Sequence, residues 1–231
     1  MLSMLLAIWA SRSSLFNEML VGNDADYRRA FEAAQALLQD AELDIQGANS
    51  DGTSCTPNPT FPSVCRQKED VDKIPLDDTD VADLLAKLGA SASKTPRCSN
   101  GLCVKRANHS DIVDKQDFWN NSDKEAGITL QQMTGVGARF GEFTGARPGD
   151  DISPANPILR ERGDNKGGWY WIEVMPYARG AGPGIAVGGA NYLPLNLNPN
   201  VVYRITALAY GRKPHTMVVL QQTYVQQKFK N

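Results

Sequence analysis

Apolar residues recur every three or four positions along residues 27–45: Tyr27, Ala30, Phe31, Ala34, Leu37, Leu38, Ala41 and Ile45. That spacing draws one stripe on a helix of period 3.6. Arg29, Glu32, Gln35, Gln39 and Glu42 fall on the other side. Ahead of this amphipathic half stands a different one, MLSMLLAIWA, ten residues without a charge. Together they predict one helix over residues 1–46, about 70 Å long if unbroken at ~1.5 Å per residue. A rod of that length exceeds what a compact domain needs, so its apolar end is expected in a membrane or a partner. Gly22 and Asn23 separate the halves. Glycine inside a helix costs about 1 kcal/mol relative to alanine, and Asn23 or Asp24 would cap a restart. A bend, a melted turn or a restart therefore competes here with a continuous helix. Asp24 with Arg28, and Arg28 with Glu32, stand i to i+4 and support the helix weakly.

The period changes in the last hundred residues. Residues 168–175 (GWYWIEVM), 201–210 (VVYRITALAY) and 216–225 (TMVVLQQTYV) are aromatic and β-branched and read as strands. Residues 211–215 join the last two as a hairpin. Residues 137–144 alternate and are expected as a further strand. The expected fold class is α+β: a long N-terminal helix packed on a four-stranded antiparallel sheet, with its stripe covering one sheet face. Residues 1–22 form the hydrophobic half of the stalk. The globular domain, 23–231, comprises the amphipathic half (23–46), a loop-rich insertion (47–134) and the sheet (135–231). Within the insertion, Pro57, Pro59 and Pro62 mark a loop, and residues 80–88 a short helix capped by Thr79 or Asp80 and ended by Gly89. Asp117, Phe118 and Trp119 anchor an otherwise polar stretch, with a short helical turn expected there.

Composition narrows this picture. The chain has 231 residues and a net charge of -2, with basic residues scattered, which argues against a nucleic-acid partner and for one domain plus a stalk. A membrane-spanning helix needs about 20 apolar residues, and the N-terminal run stops at Ser11 and Arg12. No basic leader or small-residue cleavage site accompanies it, so the chain is expected to start inside a longer helix. The four cysteines form two close pairs, Cys55 with Cys65 and Cys98 with Cys103, separated by nine and four residues. Those gaps suit local disulfides in an oxidising compartment better than zinc knuckles. Free thiols remain the alternative, and four cysteines allow three pairings.

Candidate chemistry is sparse. His109 and His215 lie in different loops, and no nucleophile elbow, Walker loop or HExxH motif occurs. The glycine run at 180–189 lacks the strand-to-helix context of a phosphate cradle. Asp77, Asp78 and Asp80, with Asp150 and Asp151, do not follow the spacing of a calcium loop. The residues suggest no enzyme, cofactor, metal or small-molecule substrate, and point to assembly through the stalk.

The segment from Ala10 to Ile45 resembles the N-terminal helix of PilX-type minor pilins of bacterial type IV pili. It carries Arg12-Ser13-Ser14-Leu15, then Gly22-Asn23, then Arg28-Arg29-Ala30-Phe31-Glu32-Ala33-Ala34, then Ala41-Glu42. Residues 203–224 are similar to the family's closing hairpin, and CSNGLC at 98–103 to its cysteine loop. The resemblance implies a type IV pilin-like fold with disulfide-pinned loops. It implies an inner-membrane protein facing the periplasm that later enters the pilus at the cell surface. Its partners would be other minor pilins, the major pilin and a tip adhesin, in a priming complex that stays at the tip. The packing and assembly face of the helix is expected to carry Leu5, Leu6, Trp9, Leu15, Tyr27, Phe31, Ala34 and Leu38, with Arg28 and Glu32 as candidate partner contacts. Exposed strand edges and the loops at 145–166 and 179–200 are further candidate docking surfaces. The family's leader and cleavage-site glycine have no counterpart before Met1, so no processing residue is assigned. The competing readings are a minor pseudopilin of a type II secretion system, and a membrane-anchored periplasmic sensor or enzyme.

Overall fold

The computed structural model describes residues 2–90, 95–106, 116–147, 156–176 and 200–226. Helix α1, Leu2–Gln46, is a single element that passes through Gly22 without a break. The turn between the last two strands lies against it at that point. Lys213 Nζ donates to Asn23 Oδ1 at 3.0 Å, and a Cβ on Gly22 would stand 2.6 Å from that nitrogen. Gly22 thus clears a path for Lys213, and Asn23 uses its side chain on the turn instead of capping a new helix.

Five strands form one sheet in sequential order: β1 (Cys98–Ser99), β2 (Leu102–Val104), β3 (Gly168–Pro176), β4 (Val201–Tyr210) and β5 (Met217–Tyr224). Strands β3, β4 and β5 pair antiparallel, whereas β2 runs parallel to β3 with Leu102 opposite Ile172. The expected four-stranded, wholly antiparallel sheet is corrected in both respects. Residues 137–144 contribute only a bridge, Ala138 to Tyr170, before the chain turns at Gly141 and Gly145, both at positive φ. An aspartate of α1 holds that turn, as described below. The edge comes instead from the cysteine hairpin, whose turn places Asn100 at φ 49° and Gly101 at φ 80°.

Helix α1 covers one sheet face, packing Ala30, Ala34, Leu37 and Ala41 among Tyr170, Ile172, Tyr203 and Ile205. The segment expected as loop covers the other. Phe118, Ile128 and Met133 close over Trp169, Trp171 and Leu208. With a cover on both faces, β3 is buried continuously over its first seven residues and shows no inside–outside alternation. Helix α2, Asp78–Gly89, starts ahead of the expected boundary because Asp77, and not Thr79 or Asp80, accepts the first free N–H groups. Two shorter helices follow. Thr129 and Gln132 form a capping box on α3 (Leu130–Thr134), and Asn156 caps α4 (Pro157–Arg160).

Candidate functional site

The face of α1 that meets the sheet is not purely apolar. Asp26, Ala30, Ala33, Leu37, Asp40 and Asp44 advance in steps of four and three residues, all at most 5% exposed. Three carboxylates therefore lie within the buried stripe, and each receives donors that a buried carboxylate requires. Asp26 accepts from the backbone N–H groups of Arg212 and Lys213 at 2.9 and 3.0 Å, capping the β4–β5 turn. Gly211 permits this, because a Cβ there would meet Asp26 Oδ2 at 2.3 Å. Burial raises the Asp26 pKa, but these N–H groups, the Thr216 hydroxyl and the Lys213 charge outweigh it and leave the group below the usual carboxylate range. Asp40 accepts from Gly141 N–H at 2.7 Å and from the Thr144 hydroxyl, which folds residues 139–147 back on the helix. Its burial wins over those hydrogen bonds; with Asp44 and Glu142 nearby, the carboxyl is pushed up to about 6.

Asp44 forms the third attachment. Arg66 donates to it through Nε at 2.8 Å and Nη2 at 2.6 Å, and Tyr170 adds its hydroxyl at 3.1 Å. The guanidinium lies 3.8 Å from the Phe143 ring centroid. Both partners of the ion pair are buried. Burial pulls the Arg66 pKa down, and the Asp44 charge more than restores it, so the arginine stays a cation. Arg66 reaches this socket from a tight turn in which Cys65 and Arg66 both have positive φ, at 61° and 52°. The Cys55–Cys65 disulfide closes that loop, and Cys98–Cys103 closes the β1–β2 hairpin. Both local pairings are thus formed, and no described cysteine is free.

Toward its N-terminus α1 leaves the domain. The β4–β5 turn marks the exit near Gly22, so residues 2–21 project for about 30 Å at ~1.5 Å per residue. Trp9, Met19, Leu20 and Val21 are exposed at 71%, 55%, 66% and 70%. Tyr27, at the exit, is 53% exposed. Trp9, Tyr27 and Ile45 stand eighteen residues apart, five full turns, so they share one side of the helix. That side is covered at Ile45, where the sheet lies beside it, and open at Tyr27 and Trp9. Five large apolar side chains left in solvent along one helix suit an interaction surface. No described helix is long and apolar enough to cross a membrane.

The expected assembly face is therefore divided. Ala34 is buried under the sheet, Phe31 and Leu38 are half-buried, and Trp9 and Tyr27 point to solvent. The side chains of Leu5, Leu6 and Leu15 lie outside the described residues. Arg28 and Glu32 are both exposed; Arg28 pairs with Asp24 at 2.9 Å and not with Glu32. His215 is exposed in the β4–β5 turn, at positive φ, while His109, Asp150, Asp151 and residues 179–199 lie outside the described residues. Asp77 caps α2, Asp78 holds Asn200 and Asp80 accepts from Leu76 N–H, so these carboxylates serve local structure. Among the described residues no His, Cys, Asp and Glu group could hold a metal. The sequence reading missed the three aspartates, although their spacing matched the apolar stripe.

A family model described as type IV pilus assembly protein PilX C-term matches residues 99–226, more than half of the chain. No curated protein and no solved structure matches it.

Proposed function

From the premise that this chain belongs to the PilX family of type IV pilus assembly proteins, we propose that it is a minor pilin whose projecting helix is its assembly surface. The apolar side running from Tyr27 to Trp9, uncovered where the domain ends, carries this reading. In this account the helix first lies in the inner membrane, with the domain in the periplasm, and then packs among the helices of the pilus. The exchange costs little hydrophobic energy, because lipid tails and neighbouring helices are both apolar; packing and partner contacts decide it. Other minor pilins and a tip adhesin are the proposed companions in a priming complex at the tip. Arg28 and Glu32, beside the exit of the helix, are proposed to set the register of that contact. The type IV pilin-like fold name belongs to the same reading, supported by the helix-on-sheet arrangement.

The test replaces Trp9 and Leu20 by Glu in the producing cell. Sheared surface pili and co-purification with the other minor pilins are then measured against the level of folded protein. Loss of both at normal protein level is expected. Unchanged piliation and co-purification would sink the proposal. Charge reversal at Arg28 or Glu32 is expected to weaken co-purification while leaving the protein folded.

A further inference from the structure

A second feature, separate from the stalk, is a cleft of about 1060 Å³ between two loops. One wall is the tip of the Cys55–Cys65 loop, with Phe61 49% exposed. The other is the 139–147 turn, joined by Arg162. Both walls are fixed from behind. Asp40 holds the turn, the Arg66–Asp44 pair holds the disulfide loop, and Cys65 N–H donates to the Phe143 carbonyl between them at 2.8 Å. The cleft is thus pre-formed, which lowers the ordering cost of binding.

Its charge is unbalanced. Arg139, Arg147 and Arg162 line it, and among the described residues none of them forms an ion pair. Arg139 stacks on Trp169, 3.6 Å from the ring centroid, and among the described residues its guanidinium donates to the Glu161 and Lys166 carbonyls, at 3.4 and 3.2 Å. Arg162 donates to the Phe140 carbonyl at 3.4 Å, and Arg147 lies 5.7 Å from the Phe61 ring. Two acids share the lining, and both are engaged: Asp51 by the Thr53 N–H and hydroxyl, Glu142 by the Arg139 N–H. Burial and the neighbouring Arg162 charge push the Arg139 guanidinium down to about 10, against the pull of Glu142. The two arginines thus stand close enough to repel each other, and Glu142 offsets this only in part.

Volume and lining separate the occupants. Small-molecule sites run to roughly 300–1,000 Å³, so this cleft exceeds what one small anion fills. Pro57, Pro59 and Phe61 supply apolar contact beside the guanidiniums. Arginine recognises carboxylates through paired N–H donors. We propose that the cleft binds an extended acidic segment of a partner polypeptide, with its carboxylates on Arg147 and Arg162 and an apolar side chain on Phe61.

The experiment uses the full chain and two labelled decapeptides, one alternating Glu and Val, the other with Gln in place of Glu. Binding is read by fluorescence anisotropy. The Glu peptide is expected to bind at least tenfold tighter than the Gln peptide, and to weaken as salt rises. The double variant Arg147→Glu/Arg162→Glu, both positions exposed, is expected to lose at least tenfold in affinity while keeping the urea midpoint of the parent chain. The variant Lys124→Glu, an exposed position outside the cleft lining, is expected to leave the affinity unchanged. Equal binding of the two peptides would overturn the proposal, as would equal losses in the two variants. So would full displacement by millimolar inorganic phosphate beyond that caused by chloride of the same ionic strength, which would mark a small-anion site. None of these outcomes touches the assembly reading, which is measured by piliation.

Discussion

Residues 26–44 of α1 bury three carboxylates, whereas the stretch from Trp9 to Tyr27 leaves five large apolar side chains in solvent. One helix thus carries two opposite departures from the usual partition of polar and apolar groups. In the rear half, each aspartate seizes backbone or side-chain donors from a different loop: the β4–β5 turn, the 139–147 turn and the Cys55–Cys65 loop. Directional bonds attach those loops at defined heights, which hydrophobic contact alone does not do. Among the described residues the front half makes no such attachment beyond the exit, and Trp9, Met19, Leu20 and Val21 stay uncovered. The rear half is built to hold this domain, and the front half is the proposed assembly surface.

Breaking the ion pair should give the largest effect. Arg66→Met leaves Asp44 buried without its cation, and a loss of about 3–5 kcal/mol is expected in urea unfolding. A loss below about 1 kcal/mol would show that the rear half does not depend on this attachment.

The next effect depends on pH. Burial pushes the Asp40 carboxyl up to about 6 from an ordinary value of 3.8. The folded state disfavours its charged form, so the contribution of Asp40 is full below about pH 4 and is lost as pH rises through the 4–6 window. A shift of this size amounts to about 3 kcal/mol at roughly 1.4 kcal/mol per pH unit. Asp26 acts in the opposite sense. Its lowered pKa contributes stability above its unfolded value, and that is lost as pH falls. Between pH 4 and 6 the urea midpoint of the parent chain should fall relative to that of Asp40→Asn.

Opening the Cys55–Cys65 loop by Cys55→Ser/Cys65→Ser should cost about 2–3 kcal/mol on loop-closure entropy. Because that loop also delivers Arg66, the double variant combined with Arg66→Met should cost less than the sum of the two. Strict additivity would separate the disulfide from the socket.

The smallest effect on stability is expected in the front half. Met19→Ser with Leu20→Ser should stay within about 0.5 kcal/mol of the parent, since both side chains are already in solvent. A larger loss would mean that the projecting helix supports its own domain and would erase the contrast between the halves.

Much of this architecture was legible in the chain. The 3.6-residue period gave the helix, and strands β3, β4 and β5 fell where aromatic and β-branched residues cluster. The two cysteine pairs were close enough to read as local loops. The misreadings are equally specific. GARFGEFT alternates like a strand, but Asp40 lies on a distant element and folds it into a turn. The β2–β3 pairing joins Leu102 to Ile172 in parallel, and such nonlocal pairing leaves no short-range pattern. Tyr27 fits the apolar stripe and is exposed because the domain ends beside it. The buried aspartates were passed over because a carboxylate is normally solvated, and the donors that reverse that preference come from loops far along the chain.

The sequence by itself determined the features that rest on neighbours within a few residues: helical periodicity, the β4–β5 hairpin, the small loops closed by cysteines. It also determined family membership, carried by residues 99–226. Only the tertiary structure decided which part of the apolar stripe is covered, where α1 leaves the domain, and that three aspartates hold the loops. Those outcomes depend on groups brought together across more than a hundred residues, as with Asp40 and Thr144 or Asp26 and Lys213. A carboxylate becomes a buried attachment only when the fold supplies its donors, and no local pattern states whether they will arrive.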